Sequence, residues 1–185
     1  MDYAMLSHTQ IQSCTDQEEY LRMPAIAAGS TAAVVPSQLA IWSYPRQGAD
    51  ADQASFNMVN AMLLRIHQSG NLASLNAAAA GQVKEGIRVY RETIRQHIPD
   101  SVPFYPLGMP DVTNSTKPIA LGIKSPRRSF VALWRIDGDA QVRIPGIEAG
   151  AQLLYPSNLG ISVNREGEVC TVTFPRTRMG CILAL

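Results

Sequence analysis

Asp2–Gly29, DYAMLSHTQIQSCTDQEEYLRMPAIAAG, holds two acidic residues fourteen positions apart, Asp2 and Asp16. Ile11–Cys14 reads as a brief strand, with Thr15-Asp16-Gln17 just past its C-terminal end. A helix is expected to follow at once. Thr15 or Asp16 suits the N-cap, Thr15-x-x-Glu18 fits the capping-box pattern, and Glu18 and Glu19 would place negative charge on the first turn. Pro24 does not fit a helix interior, so that helix is expected to end or restart there. Ala25–Gly29 then runs small and apolar to a Gly-Ser break.

The next hundred residues continue the alternation. Ala32–Val35 and Leu39–Trp42 form a continuous apolar run around Pro36, as a strand covered on both faces would. Asp50 or Asp52 caps a helix with Phe56, Val59 and Leu63 on one face. Leu64–His67 extends that helix or forms a short strand ending at Gln68-Ser69-Gly70, and the punctuation by Gly70 and Asn71 favours the strand. Asn76–Ile98 is the clearest helix, with Val83, Ile87, Tyr90 and Ile94 at helical spacing and Pro99 stopping it. After Pro99 the pattern changes. Val102–Met109 is rich in proline and aromatics and reads as a connector. From Lys117 the period is two: Ile119, Leu121 and Ile123 alternate with Ala120, Gly122 and Lys124. Phe130–Ile136 and Ala140–Ile144 flank Asp137-Gly138, and Ile161–Asn164 and Val169–Phe174 flank Glu166-Gly167, both hairpin signals. Ser125–Arg128 reads as a solvated turn and Cys181–Leu185 as a last strand. The fold class expected is therefore α/β: residues 1–110 as part of a parallel α/β structure, and residues 111–185 as a small antiparallel β-sandwich.

Composition narrows the function classes. The chain has 185 residues, 46% hydrophobic and 17% charged, with net charge +1. That balance offers no electrostatic footprint for nucleic acid or an anionic membrane. No apolar run reaches the ~18 residues of a membrane span, and no signal-peptide pattern opens the sequence. Cys14, Cys170 and Cys181 lack metal-ligand spacing and read as reduced thilos of a cytoplasmic protein. His8 and His97 have no partner spacing for a metal, and neither a metal nor a cofactor is expected. His67 is the best placed histidine, with a surface or satisfied-core role ahead of a functional one.

Taken alone, Asp16 has two readings. It is the N-cap of the next helix, or it is a carboxylate on a βα loop, where a (β/α) barrel builds its active site. The cap reading is the commoner for a single Asp. The local string shifts the balance. Residues 1–17, MDYAMLSHTQIQSCTDQ, resemble the segment joining two active-site motifs in the α-galactosidases of glycoside hydrolase family 36. There, a Cys-x-Ser-Gly-Gly-Gly-Arg-x-Asp motif is followed, after the same interval, by the Asp of a Thr-Ser-Asp-Asn-type motif. Asp2 matches the end of the first motif and Asp16 the Asp of the second; Met5-Leu6 also match in position. Cys14-Thr15 before Asp16 and Gln17 after it depart from the family pattern.

The resemblance implies the end of a (β/α)8 TIM barrel followed by a C-terminal antiparallel β-domain. It implies retaining hydrolysis of terminal α-galactosides of the melibiose and raffinose type, with N-acetylgalactosaminides or glycosyl transfer as variants. Asp16 would be the general acid/base, a role that needs a carboxyl able to hold its proton near neutral pH. Asp2 would line the sugar subsite. Trp42, after the next strand, would stack on a sugar ring or pack beneath the barrel rim. Asp2 and Asp16 would not form the catalytic pair. The family's nucleophile lies in a Lys-x-Asp motif of an earlier strand, and no such motif occurs in this chain, so the isolated polypeptide is expected to be inactive. The partner implied is an α-galactoside oligosaccharide, with a homo-oligomer possible for the full-length enzyme. The competing expectation is a non-catalytic module whose β-domain binds carbohydrate or a protein.

Overall fold

The computed structural model describes residues 3–111, 113, 116–147 and 150–185. Asp2 lies outside the described residues. The chain opens with a helical turn, α1 (Tyr3–Leu6), and a two-residue strand, β1 (Gln12–Ser13), inside the segment expected to be extended. The helix expected directly after Asp16 is absent. Residues 15–19 are irregular and 20–22 form a turn instead, and α2 (Met23–Ser30) starts at Met23 with Pro24 in its first turn. Proline is favoured there because the first helical N–H groups have no intrahelical partner to lose. Thr15, Gln17 and Glu19 spend their side chains on the loop itself, and Glu18 pairs with Arg46 instead of closing a capping box. Gln17 N donates to Thr15 Oγ1 at 3.0 Å, Glu19 N to Gln17 Oε1 at 2.9 Å and Leu21 N to Glu19 Oε1 at 3.2 Å. Such local bonds compete with helix formation, and Asp16 caps nothing.

Of the apolar run around Pro36, only the second half is a strand, β2 (Leu39–Ser43); residues 31–34 turn and Pro36–Gln38 form a 3-10 turn. Then come α3 (Ala51–Met62), β3 (Arg65–Gln68) and α4 (Ala77–Val89). β1, β2 and β3 form a parallel sheet in that order, with Ser13 beside Ala40 and Ala40 beside Arg65. Asp50, not Asp52, caps α3: its Oδ1 accepts from Gln53 N at 2.8 Å. Asn76 caps α4 from Ala79 N at 2.9 Å, and its Nδ2 donates to Ala49 O at 3.0 Å. Asn76→Ala loses both bonds and should lower stability by about 1–2 kcal/mol, read as a lower urea midpoint at unchanged slope. Beyond α4 the helix widens into a π turn at Tyr90–Ile94 and tightens into a 3-10 turn at Arg95–His97 before Pro99.

The all-β part is two antiparallel sheets. The larger has the order β4-β5-β6-β11-β8: β4 (Val102–Phe104), β5 (Ile119–Lys124), β6 (Ser129–Arg135), β8 (Gln152–Tyr155) and β11 (Met179–Ala184). The smaller has the order β7-β10-β9: β7 (Gln141–Pro145), β9 (Ser162–Glu166) and β10 (Val169–Thr173). The expected connector therefore contributes β4, and Pro103 is tolerated because β4 is an edge strand with no ladder bond to give up on its open side. Asp137-Gly138 is not a hairpin between paired strands. β6 pairs with β5 and β11, β7 pairs with β10, and the turn carries the chain from one sheet to the other. Buried Arg135 braces this crossing, its guanidinium donating to Asp139 O at 2.7 Å and Gly138 O at 2.5 Å. Gly167, by contrast, does close a β9–β10 hairpin.

The larger sheet has two apolar faces. Ile119, Leu121 and Ile123 of β5, Phe130, Ala132 and Trp134 of β6, and Ile182 of β11 join one core with Phe56 and Val59 of α3 and Leu63 just after it. Ala120, Val131, Leu133, Cys181 and Leu183 face a second core with Val142, Ile144, Cys170 and Val172 of the smaller sheet. Helices, large sheet and small sheet are thus stacked as layers, and residues 119–123 of β5 are buried on both faces while Lys124 at its end is exposed. Polar ties join helix to sheet as well. Tyr155 Oη donates to Gln82 O at 3.1 Å, Ser157 N to Glu85 Oε1 at 3.0 Å, and Arg176 reaches both oxygens of Asp52 at 2.5 and 2.9 Å.

Candidate active site

The site lies at the C-terminal ends of the three parallel strands. Asp16 follows β1 by three residues, Trp42 is the penultimate residue of β2, Tyr44 is the first residue after β2, and Ser69 is the first after β3. These four, with Gln17 and Glu18, line one cleft of about 160 Å³. Parallel pairing creates the convergence: in-register parallel strands end at the same level, so the residues just past them meet. Ser69 N donates to Ser43 O at 3.0 Å, which extends the β2–β3 ladder by one rung and holds Ser69 beside Tyr44. Tyr44 N in turn donates to Asn57 Oδ1 at 3.2 Å, tying the loop to α3.

Asp16 is exposed within the cleft, and its side chain has no hydrogen-bond partner among the described residues. Glu18 faces the same cleft but is paired with Arg46, which also lies 5.5 Å over the Tyr44 ring. The Glu18–Arg46 pair therefore bridges the β1–α2 and β2–α3 loops. Both partners are exposed, so the contact positions the loops and contributes little stability. Trp42 is half-buried. Its ring meets the His67 ring edge-on, with centroids 4.9 Å apart, because Trp42 and His67 are register partners on β2 and β3. His67 Nδ1 is buried and has no hydrogen-bond partner among the described residues.

Sequence reasoning named Asp16 and Trp42, and the structure brings them to one cleft. It missed Tyr44, Ser69 and the Glu18–Arg46 pair. The signal available for the first two was positional: each directly follows a strand of the parallel set. Cys14, adjacent to this segment, is not a nucleophile in waiting. Burial pushes its thiol up to about 11, against weaker opposing hydrogen bonds from the Ser30 side chain and the Ala40 backbone, so the reactive thiolate is scarce at neutral pH. His97 is not among the residues lining the cleft; its Nδ1 lies 3.0 Å from Ser125 Oγ.

No protein-family profile and no curated protein sequence matches the chain. Solved structures do match it. The galactosidase domain of the α-galactosidase–sucrose kinase AgaSK superposes with a TM-score of 0.73 at 16% identity, covering 99% of this chain and 27% of that one. A variant of the family 36 α-galactosidase AgaA from Geobacillus stearothermophilus, in complex with raffinose, gives a TM-score of 0.60 at 12% identity, over 92% of this chain and 25% of that one. The fold is that of part of a glycoside hydrolase family 36 α-galactosidase. The chain spans about a quarter of the length of the family 36 structures it matches. A γ-cyclodextrin glucanotransferase (γ-CGTase) from alkalophilic Bacillus clarkii also matches, with a TM-score of 0.55 at 8% identity over 86% of this chain and 28% of that one. At these identities the likeness to the family 36 enzymes is one of fold.

Proposed function

We propose that this chain carries the acid/base side of a retaining α-galactosidase site acting on terminal α-galactosides of the melibiose and raffinose type. In this reading residues 1–110 are the last part of a (β/α)8 barrel and residues 111–185 a C-terminal β-sandwich domain of a cytoplasmic enzyme. Asp16 is the general acid/base: it protonates the leaving oxygen and then takes a proton from the water that releases the sugar. Trp42 offers an apolar ring face to the galactose, and Asp2 accepts hydroxyl hydrogen bonds. The observation that carries the reading is the meeting of Asp16, Trp42, Tyr44 and Ser69 at the C-terminal ends of three parallel strands, where barrel enzymes place their chemistry. With Glu18 held by Arg46, Asp16 is the unpaired carboxylate of the cleft. A retaining mechanism needs a second carboxyl ~5–5.5 Å from the acid/base, and the sequence contains no Lys-x-Asp motif to supply it.

Two outcomes are expected of the purified chain. It releases no nitrophenol from 4-nitrophenyl α-galactoside, and it binds raffinose with a Kd on the order of 1 mM. Binding is read from tryptophan fluorescence. Trp134 is 1% exposed, so the response belongs to Trp42 and disappears in Trp42→Phe. Turnover that Asp16→Asn abolishes would overturn the account of the missing nucleophile. Absence of any raffinose response would reject the site itself.

A further inference from the structure

The β1–α2 loop is a wall with two sides. Asp16 and Glu18 line the small cleft described above, while Gln17, Glu19 and Leu21 line a second cleft of about 790 Å³. Gln17 belongs to both. The ladder of side-chain-to-backbone bonds from Thr15 to Leu21 holds the wall in this alternating form. The far side of the second cleft comes from the all-β part: Ile119 of β5, Ile136 and Asp137 after β6, and Arg178 before β11. Its volume falls in the range of small-molecule sites.

The lining is mixed in a particular way. Glu19, Arg22, Asp137 and Arg178 all face the cleft, and none of the four is in a salt bridge among the described residues. Between them lie the apolar surfaces of Leu21, Ile119 and Ile136. A charged ligand of either sign would meet like charge here. A neutral polyol would not, since its hydroxyls donate to carboxylates and accept from guanidiniums while its C–H faces cover apolar side chains. Arg178 is held in place for this. It is the one non-glycine residue with positive φ among the described residues, at 56°, and is pinned by Arg178 N donating to Ile136 O at 3.0 Å.

We propose that this second cleft is a carbohydrate subsite, occupied by the part of an oligosaccharide that lies beyond the reacting galactose. The sugar chain crosses the wall at Gln17. The direction of the chain rests on the galactoside reading above; the cleft's affinity for a neutral sugar does not. Sucrose, the disaccharide left when galactose is taken from raffinose, is the probe. Added to the whole chain labelled with nitrogen-15, sucrose shifts the amide signals of residues 17–22, 136–138 and 177–178, whereas galactose shifts those of residues 42–44. Arg178→Asn, which keeps a residue tolerant of the left-handed backbone, weakens sucrose binding about tenfold, the loss of one charge-assisted hydrogen bond. Arg22→Gln provides an independent second variant with the same direction of effect. Trp42→Ala removes galactose binding and leaves sucrose binding intact. Sucrose binding unchanged in both arginine variants, or no sucrose shifts in the named segments, overturns the subsite. Loss of galactose binding in the unsubstituted chain with sucrose binding retained overturns the galactoside reading and leaves the subsite standing.

Discussion

Trp134→Ala should cost about 3–5 kcal/mol, enough to leave much of the population unfolded. The indole is 1% exposed and stands on the helix-facing side of β6, in the core shared with α3. Its space is made by Gly180, its register partner on β11. A Cβ added at Gly180 would come within 2.9 Å of Trp134 Cδ1 and 3.3 Å of Val59 Cγ1. Truncating the indole therefore opens a void that a glycine cannot fill, and the void adds to the lost transfer free energy. Trp134 Nε1 is buried without a hydrogen-bond partner among the described residues, so Trp134→Phe gives up volume but no bond. It should cost less than half as much as the alanine change. Urea unfolding of the two variants checks both values. Equal losses for Phe and Ala would show that the indole N–H, rather than the ring's bulk, matters.

The second large effect is expected at the site. Gly70 has φ 89°, and a Cβ there would lie 2.5 Å from Pro45 O. Gly70→Ala combines a left-handed backbone with an overlap against main chain that cannot swing aside, each a penalty of order 1–3 kcal/mol. A stability loss of about 3 kcal/mol follows from the two together. The overlap also drives the residue after Ser69 away from the loop after Tyr44, the two loops that close one side of the Asp16 cleft. Raffinose binding should fall with stability in Gly70→Ala but not in Asn76→Ala, whose side chain ties the far end of the loop at Ala49 and lines no part of the cleft. Calorimetry and the fluorescence titration, run on both variants, separate the two effects.

Much of this architecture was legible from residue pattern, and the exceptions share a cause. Asp50 and Asn76 read as helix caps because they cap helices with nothing competing for their side chains. Thr15-x-x-Glu18 has the same signature but lies where Gln17 and Glu19 close successive turns, so local side-chain bonds win over the helix. Pro24 was ambiguous because proline ends one helix and begins another equally well; the structure uses it as a beginning. Asp137-Gly138 has turn chemistry that is right and a partner that is wrong, since dipeptide chemistry dictates the bend and long-range pairing decides which sheet receives the next strand. Val102–Phe104 hid as a strand because Pro103 breaks the usual pattern and only an edge permits it. At the site, Asp16 was singled out through a local string and Trp42 through its place after the next strand. Tyr44 and Ser69 have no string of their own, and only the common level at which parallel strands end brings them in.

The larger sheet, apolar on both faces, sets a limit on how this chain can be recombined. A β-module that is merely tethered to a catalytic core can be exchanged for another by joining sequences at the linker. Here the layer of Ile119, Leu121, Ile123, Phe130 and Trp134 fits the particular ridges of α3, and β4 is already woven into it before residue 110. An exchanged module would have to bring the same stripe in the same register. The helices and the sheets are thus inherited as a matched set, and the second cleft, walled by one and floored by the other, is inherited with them.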